Sequence, residues 1–168
     1  SAHIRAQRDP QVYPIAASDA FLAKYALVPA EFLRGTDLPP TIRIPIWITL
    51  FTSLFLHGGL MHLIGNMLYL WIFGDNLEEE MGHLGFLAFY LAGGIAAAGL
   101  QVMADPRSMI PMVGASGAIA GVMGGYLLLF PKARVDVLLF LIIIIRVIPV
   151  RAWIMLGVWF ALQLVGGY

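Results

Sequence analysis

VGASGAIAGVMGGY, residues 113–126, opens an apolar segment with a glycine-rich turn that carries a single hydroxyl, that of Ser116. Gly114 and Gly117 flank this serine and allow backbone or a ligand to approach it closely. If a helix begins here, its free N–H groups and the positive end of its dipole lie beside Ser116 and favour an oxyanion. The stretch therefore predicts a reactive serine or, on the simpler interpretation, one more small residue used for helix packing.

The packing interpretation rests on a second pattern in the same stretch. Gly117, Gly121 and Gly125 recur at every fourth position, and such a face lets two membrane helices approach each other closely. We therefore expect Gly121 and Gly125 to serve helix packing, whatever the role of Ser116.

The composition is that of an integral membrane protein. Of the 168 residues, 60% are hydrophobic and 12% charged, and the mean hydropathy is +0.85, whereas soluble domains are nearer half apolar and a quarter charged. The net charge is zero, so nothing indicates a nucleic-acid partner. The chain has no cysteine, which excludes a disulfide framework and thiolate chemistry.

Apolar segments divide the chain into two regions of one domain, 1–168. Residues 1–57 are proline-rich at first and end in the apolar stretch 44–56, which is too short to span a bilayer that needs about 20 helical residues. They are predicted to form an outer loop with interfacial helices. Residues 58–168 contain the predicted transmembrane helices, which lie at 58–74, 84–104, 115–130 and 147–165.

The predicted fold is accordingly an all-α, polytopic membrane bundle of about four transmembrane helices with a partly embedded N-terminal region. Short connections, among them DNLEEEMGH, residues 75–83, join the helices. The apolar run 135–146 is compatible either with an extension of the last helix or with a position in the interface. Lys132 and Arg134 follow the third segment and place that end in the cytoplasm, which puts Ser116 on the outer side, although Arg107 argues weakly against this.

His62 and Asn66 stand four residues apart and therefore share one helix face. Polar side chains inside an apolar segment usually face a cavity or a partner helix. They are either two donors for developing negative charge or an interhelical hydrogen-bond contact of about 0.6 to 2 kcal/mol. A metal site with His57 and Glu78 is a weaker alternative because the spacing is not HExxH, so we expect no metal.

Taken together, these motifs resemble those of the rhomboid intramembrane serine proteases. GASGA at a helix start follows H-x4-H-x3-N on an earlier helix, and YALVPAEFL, TLFTSLFLHGGLMHLIGNMLYLWIFG, GASGAIAG and FPKARV occur in the order typical of that family. The resemblance extends from about Phe21 to Gly167. A lone GxSG would be weak evidence, since soluble α/β-hydrolases carry GxSxG after a strand, and no strand is predicted before this one.

The resemblance implies a role for each residue of the motifs. Ser116 would be the nucleophile at the head of the fourth helix of a six-helix bundle. His62 and Asn66 on the second helix would form the oxyanion hole together with the Ser116 N–H group. Gly114, with Gly117, would shape the loop that reaches the serine, and Glu78 would make a structural polar contact at the cytoplasmic end of the second helix.

Two departures from the family pattern bear on activity. The family's general base is a histidine on the sixth helix, and this chain contains neither that helix nor the first. We therefore expect the base beyond Tyr168, on a helix packed against the face of Gly117, Gly121 and Gly125, and an inactive protein if residues 1–168 stand alone. In addition, Ala120 occupies a position where many relatives carry an aromatic residue that stacks on the base.

The implied activity is cleavage of transmembrane substrates near the outer membrane face by a Ser-His dyad, with no metal or organic cofactor. The partners would be transmembrane proteins and the lipid bilayer, and the expected location is the inner membrane of a bacterium with the site facing outward; the sequence carries no signal for oligomeric state. One alternative is a non-catalytic relative that binds membrane clients. A transporter fragment is a further alternative. A transporter needs a polar path across the bilayer, however, and Gln101 is the one polar residue that segment 84–104 would contribute to it.

Overall fold

The computed structural model describes residues 21–22, 24–35, 44–141 and 144–166, so that the first 20 residues of the predicted outer loop lie outside the described part. The predicted helical bundle is confirmed, since helices dominate the described residues. In chain order the elements are α1 (Pro29–Arg34), a 3-10 turn (Ile46–Ile48), α2 (Thr49–Thr52), a second 3-10 turn (Ser53–Phe55), α3 (Leu60–Ala104), α4 (Ser116–Leu129), β1 (Arg134–Leu141), β2 (Ile144–Arg151) and α5 (Ala152–Gly166).

Helix α3 contains two of the predicted transmembrane segments and the connection between them. Its only non-helical residue is Gly82, with φ 72° and ψ 161°, which divides it into a first arm, 60–81, and a second arm, 83–104. The predicted loop at 75–83 is wrong because LEEEM is made of strong helix formers and a single glycine makes the reversal. The arms touch where a Cβ on Gly74 would lie 3.1 Å from Cζ of Phe86.

The apolar character of the helices agrees with a membrane protein. Helix α3 has the length and composition needed to cross a bilayer. Helices α4 and α5 are apolar as well but shorter. Exposed apolar side chains on α3, such as Leu84 at 84% and Trp71 at 74%, face outward from the protein core, as lipid-facing residues do.

Helix α4 lies at the centre of the main hydrophobic core, between both arms of α3 and α5. Ile119, Val122 and Met123 on α4 are fully buried. The Tyr126 ring stands edge-on to that of Phe73 on the first arm, with centroids 5.0 Å apart. Other members of this core are Tyr69, Leu77, Tyr90, Ala115, Ala118, Ala152 and Trp159.

The glycine face of α4 packs on the second arm of α3. A Cβ on Gly117 would lie 2.5 Å from that of Ala97. Gly121 and Gly125 likewise contact Gly93 and Phe89. The prediction that this face receives a helix from beyond Tyr168 is therefore wrong, because the second arm already occupies it.

The open side of α4 is a different stripe of small residues. Ser116 and Ala120 are half-buried, and a Cβ on Gly124 would meet no atom within 4 Å. These residues are spaced by four and share one face. Any further helix that packs beside Ser116 would find room along this stripe.

The contact of Gly117 with Ala97 leads to a stability prediction. Alanine in place of a helical glycine ordinarily raises the free energy of unfolding by about 0.5 to 1 kcal/mol. We expect this effect for Gly124→Ala. Gly117→Ala should instead lower the free energy of unfolding by about 1 to 3 kcal/mol, because the new methyl group overpacks the helix contact. Denaturant titration of both variants in mixed micelles measures the difference, and equal stability of the two would contradict the packing described here.

Two antiparallel strands, 134–141 and 144–151, form what is called the hairpin below, and neither sequence-based alternative for 135–146 foresaw them. β1 and β2 are antiparallel, and their register pairs Arg134 with Arg151 and Leu141 with Ile144. Helix α5 consequently begins at Ala152, not at residue 147. The run is rich in isoleucine and valine, whose branched side chains favour strands. At the base of the hairpin the Ala152 N–H donates to the Ala133 carbonyl over 3.1 Å.

The described part of the outer loop packs on the segment that precedes α4. Leu27 and Met112 exchange backbone hydrogen bonds of 3.3 and 2.7 Å, and both Leu27 and its neighbour Val28 are buried. The Ala30 N–H donates to the Ser108 carbonyl over 3.1 Å. Two segments that are far apart in sequence thus hold the turn that leads to Ser116.

Candidate functional site

Ser116 is the first residue of α4 and follows a turn that only glycine adopts easily. Gly114 has φ 112°, a backbone conformation that L side chains rarely take. Its N–H group donates to the Ser53 carbonyl over 2.9 Å, so the outer segment holds the turn from one side. No side chain caps the helix start, and the N–H groups of its first turn have no intrahelical acceptor.

The turn lies directly against two polar side chains of the first arm of α3. A Cβ placed on Gly114 would lie 2.8 Å from Cε1 and 3.1 Å from Nε2 of His62, and 3.7 Å from Nδ2 of Asn66. The structure therefore brings together Gly114, His62 and Asn66, with Ser116 two residues further along the same turn. This contact also explains why residue 114 has no side chain.

Asn66 is deeply buried, with 2% of its surface exposed. Its Nδ2 has no hydrogen-bond partner in the described part of the chain. A buried donor left without an acceptor costs about 1 to 3 kcal/mol, so this amide calls for an explanation. It lies beside the Gly114 turn, which leads into Ser116.

His57, the first histidine of the H-x4-H-x3-N motif, is a neighbour of this site. Its ring stands edge-on to the ring of His62, with centroids 5.4 Å apart and an interplanar angle of 73°. The two histidines are separated in sequence by the HGGLMH turn, and only the fold shows that their rings meet. His57 thus restricts the space in which the His62 ring can turn.

Glu78 takes no part in this cluster. It lies sixteen residues after His62 on the same arm, which corresponds to about 24 Å along a helix. Its carboxylate accepts a 2.6 Å hydrogen bond from Nδ1 of His83, whose side chain is 93% exposed. Because of this separation, Glu78 cannot share a metal ion with His57 and His62, and the metal site built from these three residues is wrong as a prediction.

A cavity of about 420 Å³ opens beside Ser116. Its polar lining includes Gln101, Asp105 and Ser108, and Gly114, Ser116 and Gly117 form one wall. His62 and Asn66 contact Gly114 without lining this cavity. The sequence showed Gln101 only as an isolated polar residue, and Asp105 as part of a loop, because their approach to Ser116 depends on how α3 and α4 pack.

Comparison with known proteins decides the family. A family model described as the Rhomboid domain matches residues 45–168, which is most of the chain. The chain belongs to the rhomboid family. It is 31% identical over 138 residues to "Rhomboid protein 1, mitochondrial" of Saccharomyces cerevisiae, a match that covers 80% of this chain and 35% of the yeast protein.

Two bacterial relatives are named as proteases. This rhomboid is 41% identical over 81 residues to "Rhomboid protease GluP" of Bacillus subtilis, covering 48% of the chain and 15% of that protein. It is 37% identical over 81 residues to "Putative rhomboid protease YdcA" of the same organism, covering 48% of the chain and 40% of that protein. The chain thus spans well under half the length of these relatives. No solved structure matches it.

Membership of the rhomboid family makes this an integral membrane protein. The relatives occur in different membranes, since the yeast protein is mitochondrial and the other two are bacterial. The bacterial inner membrane therefore stays a prediction. The matched range 45–168 includes the turn at Gly114 and the residues that meet there.

Proposed function

We propose that the full-length protein is an intramembrane serine protease with Ser116 as its nucleophile, and that it cleaves transmembrane proteins near the outer membrane face. Family membership and the two relatives named as proteases support the reaction class. The position of Ser116 at a helix start, beside a cavity that Gln101 and Asp105 also line, supports its role. The proposal rests above all on the buried Asn66 donor, which lies at the Gly114 turn and has no acceptor among the described residues.

The proposed oxyanion hole consists of three donors. The Ser116 N–H belongs to the first turn of α4, where the helix dipole also favours negative charge. The Asn66 amide and the His62 ring approach the same turn from the first arm of α3. Donors fixed before the reaction stabilise developing charge without reorganisation, and burial of Asn66 keeps its amide in place.

The proposed reaction begins with attack of the Ser116 hydroxyl oxygen on the scissile carbonyl carbon. A histidine outside residues 1–168 accepts the hydroxyl proton and then gives it to the leaving amine. Water hydrolyses the resulting acyl-enzyme, and the cavity beside Ser116, which Gln101 and Asp105 also line, offers it a route. The substrate helix must open locally to present a peptide bond, which favours small or helix-breaking residues at the cleavage site.

The proposed orientation follows from the two ends of α4. Ser116 begins the helix, and Lys132 follows its other end. Positive residues near membrane helices stay in the cytoplasm, which directs Ser116 and its cavity outward. We propose the inner membrane of a bacterium as the location, with transmembrane proteins as substrates.

Asn66→Ala tests the proposed oxyanion hole. Loss of one such donor ordinarily lowers kcat by about 10²- to 10³-fold, and we expect a loss of that size with little change in KM. The assay is cleavage of a single-span reporter by the full-length protein in proteoliposomes. Asn76→Ala is the matched control, because Asn76 lies on the same arm but is exposed, and it should leave kcat unchanged.

The comparison separates catalysis from folding. Truncation of Asn66 removes a buried amide nitrogen that has no hydrogen-bond partner among the described residues, so the thermal unfolding midpoint should not fall. Equal kcat for Asn66→Ala and Asn76→Ala would contradict the proposed role. A fall in kcat that only follows a fall in unfolding midpoint would contradict it as well.

A further inference from the structure

Three basic residues lie at the base of the hairpin, at the end of α4 away from Ser116. Arg134 at the start of β1 is paired in register with Arg151 at the end of β2. Directly opposed residues of an antiparallel pair have Cβ atoms about 4.5 to 5.5 Å apart. Lys132 precedes the same turn, which the hydrogen bond from Ala152 to Ala133 ties to the start of α5.

These cations have no counter-ion among the residues that the structure describes. Lys132, Arg134 and Arg151 are exposed, and none of them forms an ion pair within the described part of the chain. Asp136 is the nearest acidic residue in sequence and is itself exposed, yet it pairs in register with Pro149 and not with an arginine. Like charges directly opposite each other destabilise a sheet, so an external anion would stabilise the base of the hairpin.

The cluster stands at the edge of the apolar part of the protein. Helix α4 ends at Leu129, three residues before Lys132, and α5 begins immediately after Arg151. Trp153, on the first turn of α5, is 55% exposed. Tryptophan and basic residues at the ends of apolar helices mark the level of the lipid headgroups.

We propose that Lys132, Arg134 and Arg151 form a binding site for the phosphate of an anionic phospholipid headgroup. Two opposed guanidinium groups present several N–H donors in a geometry suited to phosphate, and the lysine adds a third charge. The lipid is held at the level where α4 ends and α5 begins. The site lies apart from the turn at Ser116 and does not depend on the proposed reaction.

The test is a lipid titration of the full-length protein in a neutral detergent. Phosphatidylglycerol is added to the wild type and to Arg134→Gln/Arg151→Gln, and apparent affinity is read from thermal unfolding midpoints and from lipid adducts in native mass spectrometry. A basic residue near an anionic surface contributes about fivefold, so the double variant should bind roughly 30-fold more weakly. Arg134→Lys/Arg151→Lys keeps both charges and should retain most of the binding.

Arg34→Gln/Arg107→Gln is the matched control, because it removes two exposed arginines near the Ser116 end of the protein. It should bind phosphatidylglycerol as the wild type does. The apparent affinity for phosphatidylcholine should be the same in the wild type and in both double variants.

Equal loss of phosphatidylglycerol binding in both double variants, or no loss in either, would overturn the proposal. Inorganic phosphate that competes with the lipid at equal concentration would show a free-anion site and would also overturn it. If the double variant is unstable without lipid, Lys132→Gln is used instead, because Lys132 lies outside the hairpin. It should lower the apparent affinity for phosphatidylglycerol about fivefold, and an unchanged affinity would overturn the proposal.

Discussion

Ser116→Ala is expected to abolish cleavage of transmembrane substrates by the full-length protein. Removal of the serine nucleophile lowers kcat on the order of 10⁶-fold in a soluble serine protease, which in a membrane assay means no product above background. The reason is chemical, because the acyl-enzyme cannot form without the hydroxyl oxygen. Cleavage of a single-span reporter in proteoliposomes measures the effect.

Ser108→Ala is the control for this variant. Ser108 lines the same cavity, and its hydroxyl accepts only an exposed hydrogen bond from the Ile110 N–H in the described residues. It should therefore retain most of the activity, and both variants should unfold at the wild-type temperature. Cleavage by Ser116→Ala at the wild-type rate would contradict the assignment and would favour a client-binding protein that does not cut.

Gly114→Ala is expected to reduce cleavage by at least about 10²-fold, since a displacement of about 1 Å at a reacting group has that effect. The added methyl carbon would lie 2.8 Å from Cε1 of His62, closer than side-chain carbons approach one another, so the turn or the ring must move. The φ of 112° adds backbone strain of about 1 to 3 kcal/mol. Cleavage kinetics and the free energy of unfolding, measured on one preparation, record both effects.

Gly35→Ala is the control that separates the effect of backbone strain from the effect of the new methyl group against His62. Gly35 also has a positive φ, 62°, but a Cβ there would meet no atom within 4 Å. Its replacement should cost about 1 to 2 kcal/mol of stability and leave kcat unchanged. Gly114→Ala with wild-type kcat would show that the turn does not need its contact with His62.

The sequence predicted the local features of the fold well. The start of α4 at Ser116 and the turn at Gly114 follow from glycine spacing in a short stretch. The shared face of His62 and Asn66 follows from helix periodicity. Each of these depends on neighbours within a few residues, which is the distance over which sequence patterns are informative.

The features that the sequence did not predict depend on tertiary contacts. The run 135–146 has no clear period, and whether it forms helix or strand depends on the cross-strand register of Arg134 with Arg151. The glycine face of α4 indicated a close helix contact but not its partner, which is the second arm of α3. The hydrogen bond between Gly114 and Ser53 joins residues whose spacing in the sequence carries no signal.

The most direct test of the central claim is covalent labelling of the full-length protein with a fluorophosphonate, followed by mass spectrometry of the modified peptide. An activated serine reacts with this probe, whereas an ordinary hydroxyl does not. We expect the label on Ser116, none on Ser116→Ala, and weaker labelling of Asn66→Ala. A label on another residue, or equal labelling of Ser116→Ala, would contradict the account.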